Sequence, residues 1–423
     1  MASRKTWERF SVESLSEGTS DDRGRLFISP LGQVDLSGVR LLRAGVDTIR
    51  QLYSGECQPD VFDVIKEKYD SGFKQTMELG DITWLIGSGG ASGYRYRLQN
   101  SDLGLICFFG SRYAEPDKTG SHLKIEVSPH YIDRRSVKEI AKHLYLVSRF
   151  FLDCPTPTGC AVHIALDLQG WEPPKDFESR FICRSKRRAS FEGLDRVEFD
   201  NVSEISAIYG NRESFLFGSA SALQFAMYRK DTEAKKRDKM HFWSNVWDRS
   251  SGGILSPETA YQPDLPVWRL ELRYHQSVIQ EFGMGIGEEL LSFEAVSKHL
   301  TGLWRKGMDC YRLDSSRTYI DPAWQLFSED VTVIQPDTGL IYKRARKAPG
   351  LGNEKNIALA LGNLLTIYAR NRFTAKQAME YLKNSGMWWD LKEYFHNRMM
   401  GLEELHRFVE DGLNLRRLQG VAA

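Results

Sequence analysis

The chain has no apolar run approaching the roughly 18 residues that a membrane-crossing helix needs. MASRKTWERFSVESLSEG at its start has no apolar signal core. Both absences predict a cytoplasmic protein with no membrane partner. Its six cysteines (Cys57, Cys107, Cys154, Cys160, Cys183, Cys310) include no CxxC pair, so they read as reduced thiols, neither a zinc site nor a disulfide frame. Charge of one sign is missing too. With 57 basic and 56 acidic residues the formal charge is +1, which argues against coating nucleic acid by bulk charge; any DNA binding must come from local clusters. GSGGASG (Gly87–Gly93) lacks the GK[ST] ending of a phosphate loop and any following helix, so it reads as a hairpin loop and the chain as no ATPase. No His-hydrophobic-His triplet and no HxxR before a C-terminal tyrosine occur, which disfavours a paired-histidine relaxase and a tyrosine recombinase.

What is present is a set of strands with one apolar and one polar face. In Phe217–Lys230, Leu223, Phe225 and Met227 alternate with Gln224, Ala226 and Tyr228, and in WRLELRYH (Trp268–His275) the polar side carries Arg269, Glu271, Arg273 and His275. AVHIALDL (Ala161–Leu168) puts His163 and Asp167 on one face, and HLKIEVSP (His122–Pro129) offers Lys124 and Glu126. Further strands are expected at Gly45–Tyr53, Ile82–Ile86 and Tyr94–Leu98, and helices at Val61–Gly72 and Arg134–Asp153. These elements imply an α+β fold with a central, largely antiparallel sheet and flanking helices.

Three regions follow. Residues 1–38, rich in Ser, Gly and charge, read as a flexible arm; residues 39–284 carry the sheet; and from 285 to 423 helical spacing replaces strand alternation, indicating a helical C-terminal domain. Cations concentrate in RSKRR (Arg184–Arg188), KKRDK (Lys235–Lys239) and YKRARK (Tyr342–Lys347). Arg184, Lys186, Arg187, Arg188, Arg229, Lys235, Lys236, Arg237 and Arg273 are accordingly candidate DNA-binding residues. Trp243, Trp247 and Phe242 are candidates to stack unpaired bases.

If these strands share a sheet, their polar residues converge. A tyrosine beside cations and carboxylates suits attack on a phosphodiester, with Tyr228 as nucleophile, Lys230, Arg229 or a bound metal favouring its phenolate, and Arg269 as a further catalytic candidate. Glu126, His163, Asp167 and Glu271 are candidate ligands of Mg2+ or Mn2+, an ion that would polarise a phosphate oxygen. Each residue alone also fits a cross-strand ion pair or a structural role.

FG…MY-x-K followed by WRLE resembles the replication initiation factor family of rolling-circle plasmids and filamentous phages, and the whole chain resembles the initiators of Pf-type filamentous phages of Pseudomonas. KIEVSP is similar to that family's first acidic strand, pointing to Glu126. AVHIALDLQG is similar to its RLDLAFDF strand, with Asp167 on the second aspartate and His163 where the first would be. LFGSASALQFAMYRK places Tyr228 on the nucleophile, and WRLELR places Glu271. The resemblance implies an enzyme that nicks one strand at a hairpin-prone or single-stranded origin site, stays attached to the 5′ end, and rejoins the strand at termination. Host helicase and host DNA polymerase would be its partners in a bacterial cytoplasm, and a homodimer is compatible with it. The alternative from another class is a non-catalytic origin-binding repressor or copy-number regulator, for which Tyr228, Asp167 and Glu271 would be dispensable.

Overall fold

Two 18-residue strands, Arg40–Cys57 and Leu152–Gln169, pair antiparallel and form the axis of the fold. The second is driven into the core by Val162, Ile164, Leu166 and Leu168, each fully buried, and burying a side chain of this size stabilises the fold by about 1.5–3 kcal/mol. The computed structural model describes residues 8–13, 26–72, 75–183, 188–192, 211–250, 261–340, 342, 354–396 and 401–418. Around the central pair an 11-stranded sheet is built, antiparallel at every junction. From one edge its order is 188–192, Asn211–Gly218, Leu223–Arg229, Trp268–Tyr274, Leu152–Gln169, Arg40–Cys57, Gly120–Val127, Leu105–Ser111, Tyr94–Asn100, Ile82–Ser88 and Thr76–Leu79. The expected α+β class and antiparallel sheet are thus observed.

One face of the sheet is covered by helices. Ser136 caps Val137–Phe151 in a capping box with Glu139, and the helix buries Ile140, Leu144, Val147 and Phe151 in the main core. Helices Gln276–Ile286, Leu300–Cys310 and Pro322–Glu329 join the same core through Phe282, Trp304 and Trp324. The other face is covered only locally. Helices Lys230–Lys236 and Met240–Ser250 close over it with a small core of their own, in which Trp243, Trp247, Ala234 and Val246 meet Leu42 and Val267. Covered on both sides, Trp268–Tyr274 has all seven residues buried. The polar residues expected to face solvent or a site there face a site.

The chain divides into two compact units, residues 1–345 and 346–423. The change to helical spacing near residue 285 therefore precedes the unit boundary, because Leu290, Phe293, Leu303 and Phe327 are buried in the sheet's core. The described part of residues 1–38, read as a flexible arm, instead forms a three-stranded meander of Ser11–Glu13, Leu26–Ser29 and Gly32–Asp35. Phe10, Phe27 and Leu36 anchor it in the main core. The second unit is helical, with Glu354–Arg370, Ala375–Lys383, Trp388–His396 and Leu402–Leu418 enclosing Leu361, Leu365, Leu382, Leu391 and Val409.

Candidate functional site

The strand register builds the site. His163, Ala165 and Asp167 lie opposite Arg273, Glu271 and Arg269, which in turn lie opposite Gln224, Ala226 and Tyr228. Between Arg40–Cys57 and Leu152–Gln169 the register shifts: His163 pairs with Thr48 and Ile164 with Val46. Asp47 is the extra residue of that bulge, and such an irregularity re-aims a side chain. It delivers Asp47 to the polar face, where it pairs with Arg269.

Glu271 is the hub. The Tyr228 hydroxyl donates to its Oε2 at 3.0 Å, Arg273 Nε donates to Oε1 at 2.9 Å and Nη2 to Oε2 at 3.3 Å, and His163 Nδ1 faces Oε1 at 3.0 Å. Burial works to raise the Glu271 carboxyl, yet Arg273 and His163 overcome it and hold the group well below the usual range. Burial, reinforced by the Glu271 charge, pushes the Tyr228 phenol well above its ordinary value. Tyr228 at rest is a neutral donor to a carboxylate. Burial lowers His163 despite its bond to Glu271, so the imidazole is neutral; with Nδ1–H donating to the carboxylate, Nε2 carries the lone pair. Asp47, raised by burial but lowered by Arg269, Lys230 and Arg43 together, is also ionised.

Beside this hub sits a second buried network. Arg269 donates from Nε and Nη2 to the two oxygens of Asp167 at 2.5 and 2.7 Å, and the Trp247 indole donates to Asp167 Oδ2 at 2.8 Å. Trp243 lies between two cations, with Arg269 at 4.3 Å and Lys230 at 4.5 Å from its ring. Lys230 pairs with Glu233 at 2.6 Å; burial and the nearby Arg269 lower its ammonium all the same. Above the hub lies a cleft of about 690 Å³ lined by Asp47, His163, Tyr228, Lys230, Glu271 and Arg273 and, at its mouth, Arg237, Lys239 and His241.

Of the expected metal ligands, the structure brings together His163 and Glu271 and adds Asp47: one donor atom from each lies within 4.8 Å of the others. These donors fit a divalent ion, being two ionised carboxylates and a neutral imidazole, the form each needs for ligation. Asp167 is not among them; its carboxylate is held by Arg269 and Trp247 in the neighbouring network. Glu126 borders the cleft but is engaged by Lys124 at 2.9 Å and Arg50 at 3.3 Å. Arg269, a catalytic candidate, is fully buried and paired with Asp47 and Asp167.

Among the DNA-binding candidates, Lys235, Lys236 and Arg237 are exposed, Arg237 while paired with Glu233 at 2.8 Å, whereas Arg229 is held by Asp231 at 2.9 and 2.8 Å and Arg273 by Glu271. Arg184, Lys186 and Arg187 lie outside the described residues, and of Arg188 only the backbone, in the edge strand 188–192, is described. Trp243 and Trp247, expected to stack bases, are buried in the small core; Phe242 remains half-buried at the cleft. Asp47 was missed because strand periodicity assigns alternate residues to one face. The signal was available, since Val46 and Ile49 are both apolar but three apart, a spacing that only a bulge reconciles with one buried face.

A comparison with models of known protein families finds no match. The chain is 36% identical over 415 residues, 95% of either chain, to a protein of Pseudomonas phage Pf1 described as "Uncharacterized protein ORF430".

Proposed function

The chain belongs to the family of that Pseudomonas phage Pf1 protein, and from this premise we propose that it is a DNA strand-nicking and strand-joining enzyme that initiates rolling-circle replication of a phage or plasmid genome. The observation that carries the reading is the Tyr228 hydroxyl, 3.0 Å from an ionised, buried Glu271, on the floor of a cleft rimmed by cations.

A phenol whose ionisation is suppressed by burial cannot wait as phenolate, so its proton leaves as it reacts. Glu271 Oε2 is placed to take it. The Tyr228 oxygen attacks phosphorus, the bond from phosphorus to the 3′ oxygen breaks, and that oxygen leaves as a free 3′ hydroxyl carrying the proton passed on from Glu271, directly or through water. The 5′ side stays joined to Tyr228 as a phosphodiester; one ester replaces another at little change in energy, so the reverse attack rejoins the strand. Arg273 and Lys230 supply fixed positive charge beside the phosphate as charge builds on it. Asp47, His163 and Glu271 would hold Mg2+ or Mn2+, which when bound polarises a non-bridging phosphate oxygen. Arg237 and Lys239 at the mouth, with exposed Lys235 and Lys236 nearby, would contact the flanking phosphates. Host polymerase would extend the 3′ hydroxyl while host helicase opens the duplex.

The test is incubation of wild type and Tyr228→Phe with supercoiled DNA carrying the candidate origin and Mn2+ or Mg2+. Wild type is expected to yield nicked circles and protein covalently bound to DNA, both abolished by chelation, whereas the variant binds without cutting. Cutting by both proteins would overturn the assignment of the nucleophile. Binding without cutting by either, with any divalent ion, would identify an origin-binding regulator instead.

A further inference from the structure

We propose that the open face of the sheet beside the cleft carries a single, unpaired DNA strand across Arg50, Lys124 and Arg97. The proposal rests on the nicking reading for one point alone, that the reacting phosphate sits at Tyr228. That hydroxyl belongs to a side chain only 5% exposed, at the bottom of a cleft roofed by Met240–Ser250. A phosphate within a duplex does not reach such a depth; the strand must first leave its partner. Once separated, it needs a surface to run along.

The sheet supplies one. The cleft ends on the row Gln99, Ile106 and Glu126, which register places side by side and next to Arg50. Two residues along the same strands, on the same face, the neighbouring row is Arg97, Phe108, Lys124 and Leu52. Neighbouring strands are roughly 4.8 Å apart, so the three cations form an oblique line leading away from the site. Lys124 and Arg50 share one carboxylate, Glu126. The Lys124 ammonium rests 4.2 Å above the Phe108 ring, which holds it in place. Among the described residues Arg97 has no ion pair, and its Nε is buried with no hydrogen-bond partner. Its guanidinium lies over Gly87, where an added Cβ would come 3.6 Å from Nη2. Positive charge therefore exceeds negative along this line, and at its far end a guanidinium waits for an acceptor. A row of fixed cations across a sheet is what a polyphosphate backbone requires.

The test uses full-length Tyr228→Phe, which lacks the attacking hydroxyl, and fluorescence anisotropy with single-stranded oligonucleotides of about 8 and about 20 nucleotides spanning the candidate nick, the second longer than a typical single-domain footprint. The longer strand is expected to bind about tenfold more tightly. Adding Arg97→Glu and Lys124→Glu should remove that gain while leaving the short strand within about twofold, and should flatten the plot of log K against log salt by about 1.4 for the two lost phosphate contacts. Arg97→Gln alone, with an unchanged melting temperature, should remove part of the gain and so guards against misfolding. Equal affinity of the longer strand for the proteins with and without the two substitutions overturns the proposal, as does an equal loss with blunt duplex of the same length, which would assign the cations to double-stranded DNA. Because the readout is binding by a protein that cannot cut, its failure is separate from failure of the nicking assay.

Discussion

His163 shows how far a single side chain's chemistry depends on its surroundings. Exposed on a strand it would titrate near pH 6.5; here burial lowers it and Glu271 only partly restores it. Between the two values the unfolded chain binds a proton that the folded protein refuses, so stability falls as pH drops below about 6.5. Glu271 carries the opposite protonation chemistry with the same sign. Its folded value is depressed, so its contribution is complete above about 4.3 and is lost as pH falls further through the folded value. Thermal melts across pH should therefore show two declines, and His163→Gln should flatten the upper one. Parallel curves for the two proteins would refute the buried neutral imidazole. Tyr228, His163 and Glu271 were legible in the sequence because strand alternation sorts residues between faces. Asp167, read from the same alternation as a metal ligand, meets Arg269 and Trp247. Alternation names a face, but only the register set Asp167 opposite Arg269, whose guanidinium holds both of its oxygens while the Trp247 indole donates to one of them, apart from the cluster of Asp47, His163 and Glu271.

At the scale of elements, the segment from Lys230 to Ser250 turns a sheet face into a site. It leaves the tyrosine strand directly, packs Trp243 and Trp247 against Leu42 and Val267, and takes water away from Arg269 and Asp167, which are both fully buried. Without that cover the shifts of Tyr228 and His163 would relax, since burial is the largest cause of each. Trp243→Ala removes a buried ring and the aromatic surface between Lys230 and Arg269. The expected cost is about 3–5 kcal/mol, measured by urea unfolding, with the Tyr228 absorbance titration moving down toward its ordinary range. A loss below about 1 kcal/mol would mean that the helix holds its place without the ring. In the sequence this segment is a run of charge and aromatics with too few apolar residues to announce a core. Its helices were not assigned, because their buried face is completed by Leu42 and Val267, residues distant in the chain.

For the molecule as a whole, the division at residue 345 is a statement about cores. The helices before it bury Trp304, Trp324 and Phe327 with the sheet, and those after it close on Leu365, Leu382 and Val409. Residues 346–423 produced alone are expected to show helical circular dichroism and a cooperative thermal transition, while residues 285–423 should expose apolar surface and aggregate. Cooperative, monomeric behaviour of the longer fragment and not of the shorter would place the boundary at 285 after all.

The sequence by itself determined the class of the fold and the faces of its strands, and with them the candidates Tyr228 and Glu271, because these follow from periodicity along one segment at a time. Only the tertiary structure decided which polar residues meet. A one-residue bulge brought Asp47 to His163 and Glu271, the register gave Asp167 to Arg269, and a helical cover turned an expected base-stacking pair of tryptophans into the roof of the site. Each of these depends on how distant segments align, and a shift of one residue in that alignment exchanges the two faces of a strand.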